Sequence, residues 1–402
     1  GIYHFKNYSM GFWTDSVQGS YMKDVLLKIP DRLVNRNDSV IKEPYKAQIV
    51  KQINVYTDFS ISEQNRKVKD SVSYQGYNFY SFEKMKFKPK HLMNSLFITP
   101  EGLYKDSEKV QTQNYIRNLR TFSSTVDISY TENEDESLTA DVYLTPLKKY
   151  GITVDLDATT SNPKPFGVLG KFSFLGRNMF KGSEIMELSF QGSLFNLAVD
   201  PSNSNNFFNG WEVLSSASLR FPRILFPINT SKLIPKYMAP TTSIDASLSF
   251  QKNVGLDRQT TTAGMGYSWK STKRIGHRFN LFNASYIKNQ NIDNYFPIYD
   301  SEYQKLNDVS ESVVGVSLPD NEAVNNQEII DFMDGFLDPA NGNEENFPDE
   351  YDTVSDVDER RTILIEDSFV PVISYSFVYN TRENINDNNF HYFTARFISA
   401  GT

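Results

Sequence analysis

The chain of 402 residues is long enough for about two or three domains, and its 14% aromatic content exceeds what a disordered chain carries. Its formal net charge of -8 argues against nucleic acid as a partner, because a phosphate-binding surface needs Lys and Arg in excess. Because the sequence has no cysteine, it can form no disulfide, thiolate zinc site or cysteine nucleophile.

Helical membrane and targeting signals are missing from the sequence. No stretch approaches the roughly 18 uncharged apolar residues of a membrane-spanning helix, and the N-terminus lacks the basic region and apolar run of a signal peptide. Spanning by β-strands is not excluded. The sequence begins at Gly1 and stops at Thr402 directly after a strand-like run, which indicates a fragment of a longer protein.

Residues 1–147 are predicted to form mixed α/β structure in two parts. In the first part, residues 1–45, the extended segments 3–17 and 21–29 flank a short polar turn. This pattern predicts the end of a preceding domain. The second part, residues 46–147, has the pattern of a complete domain.

The second part begins with a strand at residues 48–56, which precedes a polar loop. Helical segments follow near residues 90–96 and 107–119, and two strands, 125–130 and 138–144, lie on either side of an acidic turn. The predicted order is therefore β, α, α, β, β.

Residues 148–402 change in character to long strands that alternate between apolar and polar residues. In the first strand, the apolar face comprises Ile152, Val154, Leu156 and Ala158, and the polar face comprises Thr153, Asp155 and Asp157. The same alternation recurs downstream, and about nine strand candidates follow one another to the end of the chain.

Two features favour a transmembrane β-barrel over a soluble sandwich, whose strands alternate too. Several strands reach about ten residues, the length that a tilted strand needs to cross the hydrocarbon layer, whereas ordinary strands average about five or six. Aromatic residues such as Phe207, Trp211 and Phe221 gather near strand ends, as in the interfacial girdles of outer-membrane barrels. A soluble carbohydrate-binding sandwich is the alternative from another class.

One acidic segment interrupts the strands. Residues 289–367 carry roughly twenty carboxylates against Lys305, Arg360 and Arg361, so they are predicted to form a long solvated loop. Within this loop, residues 322–336 have a helical spacing of apolar residues and are predicted to form a short helix that packs on the barrel mouth.

The residues after the second alternating strand resemble a turn of the BamA/TamA family of outer-membrane assembly proteins. That turn reads as Asn, an apolar pair, a further residue, Gly, a small residue and Glu, and the matching positions are Asn178, Phe180, Gly182 and Glu184. The β, α, α, β, β order before the first long strand resembles a POTRA domain that leads directly into the barrel. The long insertion is similar to versions found in Bacteroidota.

The resemblance implies an α+β POTRA region in the periplasm, followed by the N-terminal half of an antiparallel transmembrane β-barrel in the bacterial outer membrane. It implies assembly and insertion of β-barrel proteins, with unfolded outer-membrane proteins as substrates. Periplasmic or outer-membrane assembly proteins and outer-membrane lipids would be the partners. Two rivals stay open: a two-partner secretion translocator, which also has POTRA domains before a barrel, and a passive porin or receptor barrel.

The resemblance also implies that the first barrel strand is an edge that can open and pair through its backbone with a substrate strand. The residues of this edge are Tyr150, Gly151, Ile152, Thr153, Val154, Asp155, Leu156, Asp157 and Ala158. A second candidate edge, in the POTRA region, comprises Thr125, Val126, Asp127, Ile128, Ser129 and Tyr130. The alternative for this second strand is that it only holds its own sheet together.

In a barrel, alternate residues would face lipid and lumen. The residues expected to face lipid are Ile152, Val154, Leu156, Phe172, Phe174, Leu188 and Phe190. Those expected to face the lumen are Asp155, Asp157, Lys171 and Glu187. A first strand that leaves the periplasm runs outward, so the acidic segment is expected outside the cell.

No enzyme active site, metal site or cofactor is predicted. Asp155 and Asp157 are compatible with an acid/base pair, but two carboxylates on one strand face are expected to be solvated lumen lining. The four histidines have no metal-ligand spacing and are expected at the surface or in loops. Lysines at positions 84, 86, 88 and 90 form a basic stretch that is compatible with anionic headgroups or a partner, although a solvated linker is the expected role.

Overall fold

The computed structural model describes residue 4 and residues 11–16, 23–36, 39–60, 66–160, 166–196, 207–252, 256–382 and 384–401. The chain divides into two compact units. The mixed unit comprises Gly1–Lys149, Arg177–Ile185 and Asn229–Ala239, and the strand unit comprises Tyr150–Gly176, Met186–Ile228 and Pro240–Thr402. Each unit therefore draws on several stretches of the chain.

Short strands dominate the described part of the mixed unit. The strands are β1 (Gly11–Ser16), β2 (Lys23–Lys28), β3 (Arg32–Arg36), β4 (Ser39–Glu43), β5 (Ile49–Tyr56), β6 (Asp70–Tyr74), β7 (Tyr77–Ser81), β8 (Gly102–Leu103), β9 (Asp127–Glu132) and β10 (Leu138–Tyr143). The helices are α1 (Pro89–Leu92) and α2 (Asp106–Asn118).

The main sheet of this unit has the strand order β6-β7-β5-β10-β9, and β8 pairs with the start of β5. Strand β5 pairs in parallel with both β7 and β10, so it lies in the interior of the sheet. Ile53 of β5, Phe79 of β7 and Leu138 of β10 are fully buried, and Ile116 of α2 belongs to the same apolar core. The core therefore lies between the sheet and α2.

The predicted polar loop after residue 56 is wrong, because residues 70–81 form the hairpin β6-β7. Gln75 and Gly76 at its turn have φ values of 49° and 82°, as a two-residue hairpin turn requires. Tyr77 and Phe79 are buried, so alternate residues of β7 enter the core. The order β, α, α, β, β therefore lacks a hairpin that the protein has.

The other predicted elements of this region lie close to their observed positions. The helix expected near 107–119 is α2, whereas the helix expected near 90–96 is the single turn α1 continued by a 3-10 turn at Met93–Ser95. It ends there because Leu96 is extended and fully buried in the core. The strand expected at 125–130 begins two residues later, since the carbonyl of Val126 accepts a hydrogen bond from Gln113 Nε2 at 3.0 Å.

Two small hairpins precede the main sheet along the chain. The predicted extended segments 3–17 and 21–29 are represented by β1 and β2, which pair in antiparallel fashion, and the turn predicted at 18–20 lies outside the described residues. A second hairpin, β3-β4, was not predicted.

The strand unit contains one large antiparallel sheet. Its strands are β11 (Tyr150–Thr159), β12 (Phe166–Arg177), β13 (Ile185–Asn196), β14 (Gly210–Phe221), β15 (Thr241–Lys252), β16 (Asp257–Lys270), β17 (Ile275–Gln290), β18 (Ser368–Asn380) and β19 (Tyr392–Ala400).

These nine strands follow one another across the sheet in chain order. The prediction of about nine antiparallel strands after a mixed α/β region is confirmed. Among the described residues, β11 and β19 each pair with one strand only, so the sheet has two edges and is not closed. Its connections alternate between two ends, and the acidic segment lies at the end where β11 finishes.

The acidic segment is a helical subdomain, which has more regular structure than the predicted loop with one short helix. Its helices are α3 (Tyr295–Ile298), α4 (Asp300–Val309), α5 (Asn326–Leu337), α6 (Asn343–Asn346) and α7 (Pro348–Ile365). The predicted short helix at 322–336 corresponds to α5 and the 3-10 turn before it, whereas α4 and α7 were missed. Helix α7 was missed because it is crowded with carboxylates and has few apolar positions.

The helices of this subdomain enclose a core of their own. Leu306 of α4, Ile329 and Met333 of α5, and Val354 and Val357 of α7 are fully buried. The charged residues therefore cover an apolar interior. Among the described residues, no helix is long and apolar enough to cross a membrane.

Candidate functional site

Strand β11, the predicted pairing edge, lies at one edge of the nine-stranded sheet. It pairs with β12 without a bulge, from Tyr150 opposite Gly176 to Thr159 opposite Gly167. In the described part of the chain no other strand pairs with it. One side of its backbone is therefore not covered by any strand that the structure describes.

One hydrogen bond fixes which residues of β11 face that open side. The backbone NH of Arg177 donates to the carbonyl oxygen of Lys149 at 2.7 Å, and the β11-β12 register sets these residues opposite each other. Opposite residues joined in this way form a hydrogen-bonded pair, and such pairs alternate along an antiparallel ladder. The NH of Asp155 therefore points towards β12, and that of Val154 points towards the open side.

The residues directed to the open side also carry the apolar side chains of the strand. Ile152, Val154 and Leu156 expose 66%, 65% and 83% of their surface. Ile152 lies opposite Phe174 and Val154 opposite Phe172, so these side chains share one face. An approaching strand would meet backbone donors and acceptors together with a row of apolar side chains.

The other face of β11 carries its carboxylates. Asp155 lies opposite Lys171 and Asp157 opposite Leu169, and both aspartates are exposed. Both carboxylates are therefore accessible to solvent on this face.

The two faces continue across the sheet. The apolar face exposes Tyr150, Ile152, Val154, Leu156, Phe172, Phe190, Trp211, Val213, Ile244, Phe282, Tyr286, Phe369, Ile373, Phe393 and Phe397. The polar face is linked across strands by the hydrogen bonds Ser189–Ser216 at 2.7 Å, Ser218–Asp245 at 2.7 Å and Asn280–Ser374 at 2.8 Å. The bond from Ser189 assigns Glu187 to the polar face and Leu188 to the apolar one.

A cavity of about 250 Å³ lies on the polar face of β14 to β17. Gly264 and Gly266 line it beside Asp245 and Asn280. A Cβ atom on Gly266 would lie 2.7 Å from Asn280 Oδ1, so the missing side chain makes room for this amide. Both glycines lie within β16.

The turn motif at Asn178, Phe180, Gly182 and Glu184 forms one hydrogen-bonded turn between β12 and β13. Glu184 is fully buried, and its Oε2 accepts hydrogen bonds from the NH of Gly182 at 2.9 Å and of Phe180 at 3.2 Å. Asn178 donates its NH to the carbonyl of Glu184 at 2.6 Å and accepts from the NH of Ser183 at 3.0 Å. The spacing of the motif therefore follows from one carboxylate and one amide that satisfy the backbone of the turn.

This turn is bound to the segment that precedes α1. Asn178 Nδ2 donates to the carbonyl oxygen of Lys86 at 2.9 Å, and the NH of Lys88 donates to the carbonyl oxygen of Lys181 at 2.7 Å. The four motif residues thus have a structural role in the mixed unit, and a role in assembly is a separate hypothesis.

The second candidate edge is β9, which pairs only with β10 among the described residues. Val126 and Ile128 are buried, whereas Asp127 and Ser129 are exposed, as the alternation predicts. Thr125 and Val126 precede the strand, so the candidate residues within it are Asp127, Ile128, Ser129 and Tyr130. Burial, and then the neighbouring phenol of Tyr104, raises the pKa of Tyr130.

An arginine contacts one end of this edge. Arg32 of β3 donates to both carboxylate oxygens of Glu132 at 3.2 Å and to Glu43 at 3.3 Å. Hydrogen bonding to Glu132 raises the pKa of Arg32.

Two of the four histidines are held by aromatic contacts. His4 is buried and packs edge-on against Tyr45 at 5.0 Å. His277 lies within β17, stacks on Trp269 at 5.1 Å and has Nδ1 2.8 Å from Tyr375 Oη. Among the residues that the structure describes, no group of three His, Asp or Glu side chains could hold a metal ion.

Sequence reasoning missed Lys149 and Arg177, whose backbone contact fixes the open side of β11. No sequence signal could have identified them, because any residue except proline can make this bond. The direction of each NH group follows only from the register of two strands.

No protein family and no curated protein matches this sequence. Among solved structures, the chain is similar to BamA from Haemophilus ducreyi lacking POTRA domains 1-3, with 7% identity and a TM-score of 0.45 over 99% of this chain and 55% of that chain. It is also similar to CdiB from Acinetobacter baumannii, with 9% identity and a TM-score of 0.31 over 92% of this chain and 73% of that one. CdiB from Escherichia coli has 10% identity and a TM-score of 0.30 over 91% and 70%. The chain spans about half the length of the BamA structure.

Proposed function

We propose that this chain is part of an outer-membrane β-barrel protein that assembles and inserts other β-barrel proteins. The observation that carries the proposal is the uncovered apolar face of the nine-stranded sheet, with Leu156 exposed by 83%. Such an extended apolar surface is typical of a membrane or protein contact. The strands have 9 to 16 residues, which is the length needed to cross a hydrocarbon layer at a tilt.

In this proposal the main sheet of the mixed unit and α2 form a POTRA domain in the periplasm. The support is the position of this unit in the chain, since Lys149 is followed directly by the first residue of β11. The β6-β7 hairpin is an addition to the expected order. A passive porin or receptor barrel would have no need of an α/β unit leading into its first strand.

The proposed mechanism is strand addition at β11. Ile152, Val154 and Leu156 direct backbone groups to the open side and apolar side chains to the exposed face. An unfolded outer-membrane protein would form main-chain hydrogen bonds with this edge and rest its own apolar residues on the lipid side. Such templating breaks no covalent bond, and it needs no cofactor.

The test uses proline at two adjacent positions in the gene of this protein. Val154→Pro removes an NH donor on the open side and leaves the β11-β12 hydrogen bonds in place. Proline is tolerated at such positions of an edge strand. We expect this variant to fold, judged by heat-modifiable gel mobility, and to lower the levels of other outer-membrane proteins. Asp155→Pro removes a donor to β12, so we expect loss of the folded gel band itself.

The control is Val154→Ala, which keeps the NH group and should support normal assembly. Normal outer-membrane protein levels in a folded Val154→Pro variant would refute strand templating. A defect confined to one secreted partner protein, with normal outer-membrane protein levels, would favour the two-partner secretion translocator.

A further inference from the structure

The mixed unit contains a cavity of about 530 Å³ that strand addition at β11 does not use. Every residue that lines it belongs to this unit. The walls come from residues 83–87, from residues 146–149 and from the turn between β12 and β13. A cavity of this size is large enough for a small ligand or a headgroup.

Positive charge is concentrated in this wall. The lining cations are Lys84, Lys86, Lys149, Arg177 and Lys181, and Glu83 is the single carboxylate among the lining residues. Lys86 Nζ lies 2.6 Å from Glu83 Oε2, so these two charges neutralise each other. The ammonium groups of Lys84 and Lys181 make no hydrogen bond or ion pair with any residue that the structure describes.

Main-chain contacts hold the cationic wall in position. Arg177 donates from Nε to the carbonyl oxygen of Arg120 and from Nη1 to that of Lys148, both at 3.0 Å. The NH of Lys88 holds the carbonyl of Lys181 at 2.7 Å. Because carbonyl acceptors leave the charge of Arg177 uncompensated, the cavity keeps a positive potential that favours an anion.

A buried hydroxyl gives an independent indication of a ligand. Thr121 lines the cavity and is 2% exposed, and its Oγ1 has no hydrogen-bond partner among the described residues. Buried hydroxyl groups in folded proteins are normally paired. An oxygen atom of a bound ligand would satisfy this group.

Part of the wall is apolar. Met85, Phe87, Leu147 and Met179 line the cavity, and Phe87 is anchored by stacking on Phe122 at 4.7 Å. A small inorganic anion would leave these side chains unused. The combination fits a ligand with an anionic group and an adjoining apolar part.

We propose that this cavity binds the phosphate of an anionic amphiphile, and that the source is a phospholipid headgroup. Phosphate suits the site because Arg and Lys together supply several donors to its oxygens. The choice of a lipid rests on the proposed membrane location. The phosphate site itself rests only on the cations, Thr121 and the apolar wall.

The test is calorimetric titration of the full chain in neutral detergent with three probes: short-chain phosphatidylglycerol, short-chain phosphatidylcholine and inorganic phosphate. Phosphatidylglycerol should bind with saturation and about tenfold more tightly than either other probe, because it alone combines net negative charge with an apolar part. The double variant Lys84→Gln, Lys181→Gln should weaken its binding about tenfold or more. The matched variant Lys67→Gln, Lys90→Gln removes the same charge from the same unit outside the cavity and should change binding less than about twofold.

Equal binding of phosphatidylglycerol by the cavity variant and the matched variant would overturn the proposal. If inorganic phosphate binds as tightly as phosphatidylglycerol and depends on Lys84 and Lys181, free phosphate is the source and the lipid assignment is overturned. Neither variant alters β11. Failure of strand templating would therefore be recorded separately, by the proline variants.

Discussion

Arg360 of α7 donates from Nη1 to Oε1 of Glu302 in α4 at 2.8 Å, across 58 residues of the chain. The side chain of Glu302 is only 6% exposed, whereas that of Arg360 is 60% exposed. Lys305 contacts the other oxygen of Glu302 at 3.2 Å. Two of the few basic residues in the acidic subdomain thus contact a buried carboxylate, and Arg360 joins the two helices that the sequence did not predict.

We expect Arg360→Ala to lower the free energy of unfolding of the helical subdomain by about 1–2 kcal/mol, because Glu302 loses its nearest partner while it stays buried. The effect is below that of a fully buried pair, since water screens Arg360. Native-state hydrogen exchange of the α4 and α7 amides measures it. Glu359→Ala, at an exposed position beside Arg360, should change the free energy by less than about 0.5 kcal/mol. Equal effects of the two substitutions would contradict a role for the ion pair.

Arginine at adjacent positions of β13 tests the assignment of faces. If the apolar face meets lipid, Phe190→Arg should cost about 2–4 kcal/mol of folding free energy in bilayers, and Gln191→Arg on the polar face far less. Reversible denaturant unfolding in lipid vesicles measures both. An exposed position in water would instead tolerate Phe190→Arg within about 0.5 kcal/mol. Indistinguishable costs would therefore argue against a membrane barrel.

The absence of native cysteine makes topology directly testable, because an introduced thiol is the only one in the chain. Val324→Cys, in the acidic subdomain at a position 79% exposed, should react with a membrane-impermeant maleimide in intact cells. Lys273→Cys, in the turn between β16 and β17 at the other end of the sheet, should react only after permeabilisation. The reverse pattern would mean that the proposed orientation is inverted.

The acidic turn after β9 should give a pH-dependent contribution to stability. Hydrogen bonds from Ser137, and then from Lys51, lower the pKa of Asp135 from 3.8 to about 2. Because the folded pKa lies below the ordinary value, the contribution is fully present above about pH 4 and is lost as the pH falls towards 2. Thermal unfolding between these pH values should show a step that disappears in Asp135→Asn. The step should persist in Glu134→Gln, and its loss there would disprove the assignment to Asp135.

Alternation in the sequence determined the strands of the large sheet and the faces of residues in strands without a bulge, such as β11. Ile152 and Val154 lie on one face and Asp155 on the other, because successive side chains of any strand point to opposite sides. The turn at residues 178–184 was recognised by resemblance, and its Asn and Glu satisfy nearby backbone groups through local contacts. These features depend on residues close together in sequence.

Features that depend on distant residues were decided by the tertiary structure. The hairpin β6-β7 was not predicted, and its pairing with β5 places Phe79 in the shared core. Helices α4 and α7 become stable through a shared core and the contact between Glu302 and Arg360, neither of which has a local signal.

The open side of β11 and the cationic cavity also depend on residues that are distant in sequence. The direction of the Val154 NH follows from the bond between Arg177 and Lys149, and backbone bonding carries no residue identity. Lys84 and Lys181 line one cavity only because the turn after β12 packs on the segment before α1. The sequence by itself determined local periodicity and turn chemistry, whereas register and long-range packing decided which backbone groups are open and which charges meet.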